Sequence, residues 1–161
     1  MKKLLLFGVV ALLISVTTVS GLAPSASHAP AGEAGIRARF VGAWRLVWLE
    51  EPGADGSIHK ADCTGLLVFT RDGHMAVQVM YRSRQAGATV GPVQYAQGGY
   101  EASYGTYKIK DAHTFTYHVD GALVRSLVGK DFTRVFELSG KRLIVMPADP
   151  NEHWKVTWEH E

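Results

Sequence analysis

Covalent reinforcement is the first thing this chain lacks. Cys63 is its one cysteine, so no internal disulfide can form and the core must hold the fold unaided. A lone thiol just ahead of an apolar stretch reads first as a small buried hydrophobe, with a reactive thiol or an intermolecular bridge as the other use. Runs of like charge are also missing. Lys2 and Lys3 account for two of the 17 basic residues, which leaves 15 against 15 acidic ones. That balance excludes a basic footprint for nucleic acid and a charged patch for a membrane surface. Neither a Gly-x-Ser-x-Gly elbow, a phosphate loop nor a His-Glu-x-x-His pair occurs. The seven histidines lack ligand spacing. His113 and His118 fall on opposite sides of a predicted strand, as do His153 and His160, and no Cys partners them. No metal and no cofactor is expected. There is no internal repeat and no low-complexity tract.

What is present begins with a leader. Met1-Lys2-Lys3 is a short positive region, Leu4 to Val19 is uncharged and almost wholly apolar, and Gly21 to Ala29 is rich in small residues. This is the pattern of a bacterial-type secretory signal peptide. Cuts after Ala29 or after Ala31 both fit, the first placing Pro30 unfavourably next to the cut. The apolar run is short for a membrane span and no basic stop signal follows it. No Cys near the cut offers a lipid attachment point. The expected organisation is therefore a signal peptide over residues 1–29, a flexible Ala/Gly-rich lead-in over 30–37, and one domain over 38–161. The mature protein is expected to be periplasmic or extracellular and to keep no stable membrane anchor. Oligomeric state is left open.

That domain reads as strands throughout. Trp44, Leu46 and Trp48 alternate with Ala43, Arg45 and Val47, which predicts a first strand with one large apolar face. Gly42 lies two residues before Trp44, where a missing side chain lets another group approach closely. Glu51 to Ser57 is dense in turn formers. Further strands are predicted at Gly65–Thr70, His74–Tyr81, Tyr100–Ile109, His113–Val119, Phe132–Leu138, Arg142–Met146 and His153–Glu159, with a short extended piece at Ile58-His59. Asp72-Gly73 and Asp120-Gly121 read as hairpin turns. Ala122 to Val128 is a further strand or a strand with a helical turn. Short connections between successive strands imply an antiparallel meander. The expectation is an all-β, eight-stranded, antiparallel up-and-down barrel, whose closure removes exposed edges. A β-sandwich is the alternative, but the long crossings it needs are absent.

Several stretches then resemble one family. Val41-Gly42-Ala43-Trp44-Arg45-Leu46-Val47 resembles the opening of the bacterial and fungal lipocalin-like domain family, a branch of the calycins. Thr64 to Met75 is similar to its central hairpin, leading into a strand that contains Gln78. Tyr104-Gly105-Thr106-Tyr107 is similar to its next strand. Arg134-Val135-Phe136-Glu137-Leu138, with Arg142-Leu143, resembles its penultimate hairpin. The resemblance implies an eight-stranded barrel with a central cavity and no single chemistry. One departure stands out. The wider lipocalins carry a last-strand Arg over the first-strand Trp, and this chain has Lys155, on the face opposite Trp154, Val156 and Trp158. The Trp44 plug is then capped differently, by Arg45 or by nothing charged.

Arg134 is the foremost candidate for function. It shares a face with Phe132, Phe136 and Leu138, so alternation turns a cation toward the barrel interior. An unpaired buried charge is very costly. Either an anionic ligand head neutralises it, or an internal acidic residue with Tyr hydroxyls does, or water reaches it near the rim. Tyr104 and Gln78 are hydrogen-bonding candidates, and Trp44, Phe136 and Trp154 are candidate apolar walls. Such aromatics suit a small hydrophobic molecule with a few polar groups, or they simply fill the barrel. Arg82 to Gly99, long and Gly-rich, is the candidate mouth. The favoured role is binding of a small hydrophobic or amphipathic ligand. A barrel isomerase or cyclase is the alternative, needing an acid/base pair near Arg134 drawn from Tyr104, Gln78 or His118. His118 falls on the more polar face, which weakens it. An interaction module with a packed core is a third reading.

Overall fold

Closure decides the architecture. The computed structural model describes residues 31–53, 55–83 and 99–161. The leader over 1–29 and most of the Arg82–Gly99 stretch lie outside the described residues. The elements are helix α1 (Ala31–Phe40) and strands β1 (Gly42–Pro52), β2 (Ile58–Ala61), β3 (Cys63–Phe69), β4 (His74–Tyr81), β5 (Tyr100–Ile109), β6 (Thr114–Ala122), β7 (Asp131–Ser139), β8 (Arg142–Pro147) and β9 (Lys155–His160). Each of β3 to β9 pairs antiparallel with the next, β1 pairs with β3, and β9 returns to β1. This is a closed eight-stranded up-and-down barrel, and the sandwich alternative falls away. The ninth strand is the Ile58 piece, β2, which takes over the pairing along Leu49–Pro52 where β3 leaves β1. Ala122 to Val128 is not a strand but ends β6 and enters a 3-10 turn at Arg125–Leu127.

Two bulges depart from simple alternation. In β1 the register with β9 shifts between Leu46 and Trp48, so Val47 is the extra residue. Trp44 and Leu46 point inward and are buried. Beyond the bulge Leu49 and Glu51 face the interior. Trp48 is turned outward, between Lys60 at 4.1 Å and Arg142 at 5.8 Å from its ring centroid. The single face expected for Trp44, Leu46 and Trp48 is therefore broken in the middle. The second bulge sits between Tyr104 and Gly105, with Asp120 as the extra residue on β6. Asp120-Gly121 thus marks a bulge within β6, not a hairpin. Gly105 is required there, because a Cβ would lie 1.9 Å from the His118 carbonyl oxygen.

Helix α1 occupies the stretch whose composition reads as an unpatterned lead-in. Ten residues with two glycines make a weak helix, but Glu33 in the first turn and Arg37 and Arg39 in the last complement its dipole. Tertiary contacts hold it. Phe40 at its end is fully buried and packs against Phe69, Phe115 and Phe136 at centroid distances of 4.9, 5.7 and 4.8 Å. Arg37 and Arg39 donate to the carbonyls of Arg71 and Leu138. One end of the barrel is closed by this helix and the rings above it, which positions any cavity at the other end.

Candidate functional site

The interior changes character along the barrel axis. At the helix end the rings of Phe40, Phe69, Tyr107, Phe115 and Phe136 fill the space. Trp44 belongs to this plug. Its indole N–H donates to the Phe40 carbonyl at 2.8 Å, and the His160 ring meets it edge-on at 4.7 Å. His160 thus covers the indole where the wider lipocalins carry an Arg, and Arg45, one of the two alternatives expected there, instead pairs with Glu159 on the outer surface. Gly42 makes room for it: a Cβ there would lie 2.4 Å from His160 Nε2.

Toward the other end the strands enclose a cavity of about 680 Å³. Its walls are mainly apolar, with Leu67, Met75, Val77, Val79, Val119 and Val156 among them. A volume of this size suits a small organic molecule. The barrel is not packed solid, contrary to the interaction-module reading.

Arg134 reaches this cavity from β7. Its guanidinium lies 4.8 Å from the Phe132 ring centroid and 5.0 Å from that of Trp154, a cation held between two aromatic faces. Nη1 is 3.6 Å from Glu152 Oε2, and the Trp154 indole N–H donates to that same carboxylate oxygen at 2.9 Å. Burial pulls the Arg134 pKa below the ordinary arginine value, and Glu152, then Glu101, oppose that shift. An internal acid therefore answers the charge, one of the alternatives left open by the sequence.

Tyr117 stands on the neighbouring strand β6, turned inward with Phe115 and Val119. Its hydroxyl is buried and has no hydrogen-bond partner. Ser103 is its polar neighbour and acts to lower its pKa, but no group meets hydrogen-bond geometry with the hydroxyl. Burial raises the Tyr117 pKa, so the phenol stays protonated at neutral pH. Further toward the rim, Tyr81 donates to Glu51 Oε1 at 2.6 Å, and desolvation with that carboxylate pushes the Tyr81 pKa well above the ordinary value. His59 Nε2 is 3.8 Å from the same oxygen.

The structure brings together Arg134 and Trp154 from the sequence candidates. Phe136 and Trp44 lie below the cavity, in the plug. Tyr104 and Gln78 are corrected: both are exposed on the outside of the barrel. On β4, Met75, Val77, Val79 and Tyr81 take the inward positions, so Gln78 must point out. On β5 the inward set includes Glu101 and Ser103, and Tyr104 lies outside with its ring over Gly121. His118 is also outside, with Nδ1 2.8 Å from Asp131. None of the three acid/base partners expected near Arg134 lines the cavity. Of those that do, Glu101 and Tyr117 follow from the same alternation once Tyr107 and Ile109, or Phe115 and Val119, set the phase, whereas Glu152 lies in the connection between β8 and β9 and no strand pattern marks it. Among the described residues, no three His, Cys, Asp or Glu side chains are grouped to hold a metal ion.

A closed meander with a plugged end and an apolar cavity above it defines a calyx-type barrel. The model of the lipocalin-like domain family matches residues 41–160, and the chain belongs to that family. No curated protein matches it. Among solved structures, it is similar to the crystal structure of an uncharacterized protein from Bacteroides eggerthii DSM 20697. That protein is 20% identical with a TM-score of 0.46, and the match covers 76% of this chain and 99% of that one.

Proposed function

We propose that this protein binds a small hydrophobic or amphipathic molecule in the barrel cavity, its polar end against Arg134 and Tyr117. The observation that carries this reading is the Tyr117 hydroxyl, buried and without a hydrogen-bond partner in the wall of a mainly apolar cavity that Arg134 also lines. An unsatisfied buried hydroxyl costs about 1–3 kcal/mol, and a ligand atom is the natural way to recover it. Family membership supports the reading. The leader pattern supports export to the periplasm or beyond, which the mature N-terminus of protein from a secreting host checks.

A direct test is native mass spectrometry of the purified domain after exposure to a host-cell lipid and metabolite extract. A discrete adduct, weakened in Arg134→Met and in Tyr117→Phe, is the expected result. A wild-type protein as free of adducts as both variants would count against binding.

A second reading, a barrel isomerase or cyclase, draws on one feature, a carboxylate (Glu101) in the same cavity as a phenol and a guanidinium. Conversion of the captured molecule to a species of equal mass and different retention would favour it.

A further inference from the structure

The charged groups lining the cavity are unequal. Three are carboxylates, Glu51, Glu101 and Glu152, and one is a cation, Arg134. The sequence from 84 to 98 adds a single charged residue, Arg84, which can offset at most one of them. Glu152 faces Arg134 at 3.6 Å, and the field of Glu101 reaches the guanidinium as well. The charge of Arg134 is therefore already answered from within the protein.

Its hydrogen bonding is not. At 3.6 Å the contact with Glu152 is Coulombic and too long for a hydrogen bond. The guanidinium faces are occupied by Phe132 and Trp154, which leaves its N–H edges free. None of them meets an acceptor among the described residues. The Tyr117 hydroxyl is a further uncommitted donor in the same wall. The site thus offers donors without offering net positive charge.

Resting on the binding role proposed above, we infer that the polar group this cavity accepts is an uncharged hydrogen-bond acceptor of the carbonyl or amide class, and that the isosteric carboxylate is disfavoured. A carbonyl oxygen can take bonds from Arg134 and Tyr117 and brings no charge. A carboxylate takes the same bonds but adds a fourth negative charge to a cavity whose one lining cation is already faced by Glu152. It also loses more hydration on entry than an amide does.

The test uses three ligands with one ten-carbon tail, decanamide, decanoate and 1-decanol, titrated calorimetrically into the purified mature chain at neutral pH. Decanamide is expected to bind at least about tenfold more tightly than decanoate, a gap of about 1.4 kcal/mol. Glu152→Gln keeps an acceptor for the Trp154 indole and removes the charge facing Arg134. It is expected to strengthen decanoate selectively and shrink the gap to below about threefold. Glu101→Gln serves as the second variant if Glu152→Gln does not fold, and it shifts the ratio in the same direction. Decanoate binding as tightly as decanamide would overturn the inference, as would a ratio unchanged in both variants. If 1-decanol binds and decanamide gains nothing over decanoate, the charge rule falls and the cavity reading stands. If none of the three binds, both fall.

Discussion

The indole N–H of Trp44 donates to the backbone carbonyl of Phe40 at 2.8 Å, tying the last residue of helix α1 to the first turn-in of the barrel. The bond satisfies the one polar atom of a buried Trp and one of the helix-end carbonyls that lack an internal partner. It also holds the Phe40 ring under the plug. Phe40→Ala is expected to lose about 3–5 kcal/mol of stability, read from urea unfolding of the purified domain. A loss below about 1 kcal/mol would mean that the helix is not part of the core.

Tyr117→Phe separates stability from function. The hydroxyl it removes is buried and unpartnered, so the ligand-free protein is expected to gain about 1 kcal/mol, seen as a higher urea midpoint. The same variant is expected to bind decanamide about threefold to tenfold more weakly. Destabilisation instead would show that the hydroxyl has a structural partner.

Arg134→Met keeps a long stem between Phe132 and Trp154 and removes every donor. Glu152 retains its bond from the Trp154 indole and is partly open to solvent, so it stays tolerable as a charge. The expected outcome is a loss of about tenfold in decanamide affinity with a small change in melting temperature. Intrinsic tryptophan fluorescence, to which Trp154 contributes as one of four, follows both in one sample.

Gly105→Ala places a methyl against the His118 carbonyl at the β5–β6 bulge. Backbone cannot yield as a flexible side chain can, and a cost of about 4 kcal/mol or more is expected. Soluble yield and thermal unfolding measure it. Near-normal unfolding would show that the bulge can be redrawn.

Acid should weaken the fold through its turns. The Asp111 pKa is lowered by the Thr114 hydroxyl and then the His113 N–H, Asp72 by the Thr70 hydroxyl and then His74, and Asp55 by Ser57 through side chain and then backbone. Each folded value lies below the unfolded one, so the unfolded chain takes up protons first as pH falls. The stabilisation is complete above the ordinary aspartate value of about 4 and is lost as pH drops through the folded values. Melting temperature is expected to be flat from about pH 6 to 5 and to fall below about pH 4. Asp111→Asn should fall less steeply over the same range.

Much of the barrel was legible in the sequence, because a half-buried strand writes its inward face as every second residue. His74–Tyr81 and Tyr100–Ile109 are the strands the alternation predicts, with the same ends. Arg134 was visible for the same reason, as a cation in an apolar row. The exterior positions of Gln78 and Tyr104 were legible too, from Val77 and Val79 and from Tyr107 and Ile109. Glu101 and Ser103 were present in that pattern, but polar residues at a strand's open end look like a solvated rim until the mouth is built.

Local periodicity and short turns suffice for the class of the fold, its meander, and which residue of each regular strand turns inward. The remaining features arise from contacts between elements distant in the chain. A bulge at Val47 exchanges the faces of β1, and a bulge at Asp120 takes the place of a turn, because such bulges are set by the partner strand's register. Helix α1 forms on rings contributed by β3, β6 and β7, too distant in sequence for any local pattern to record. The answering of Arg134 by Glu152, which the Trp154 indole holds, depends on the connection after β8 folding back beside β7, which no strand periodicity records.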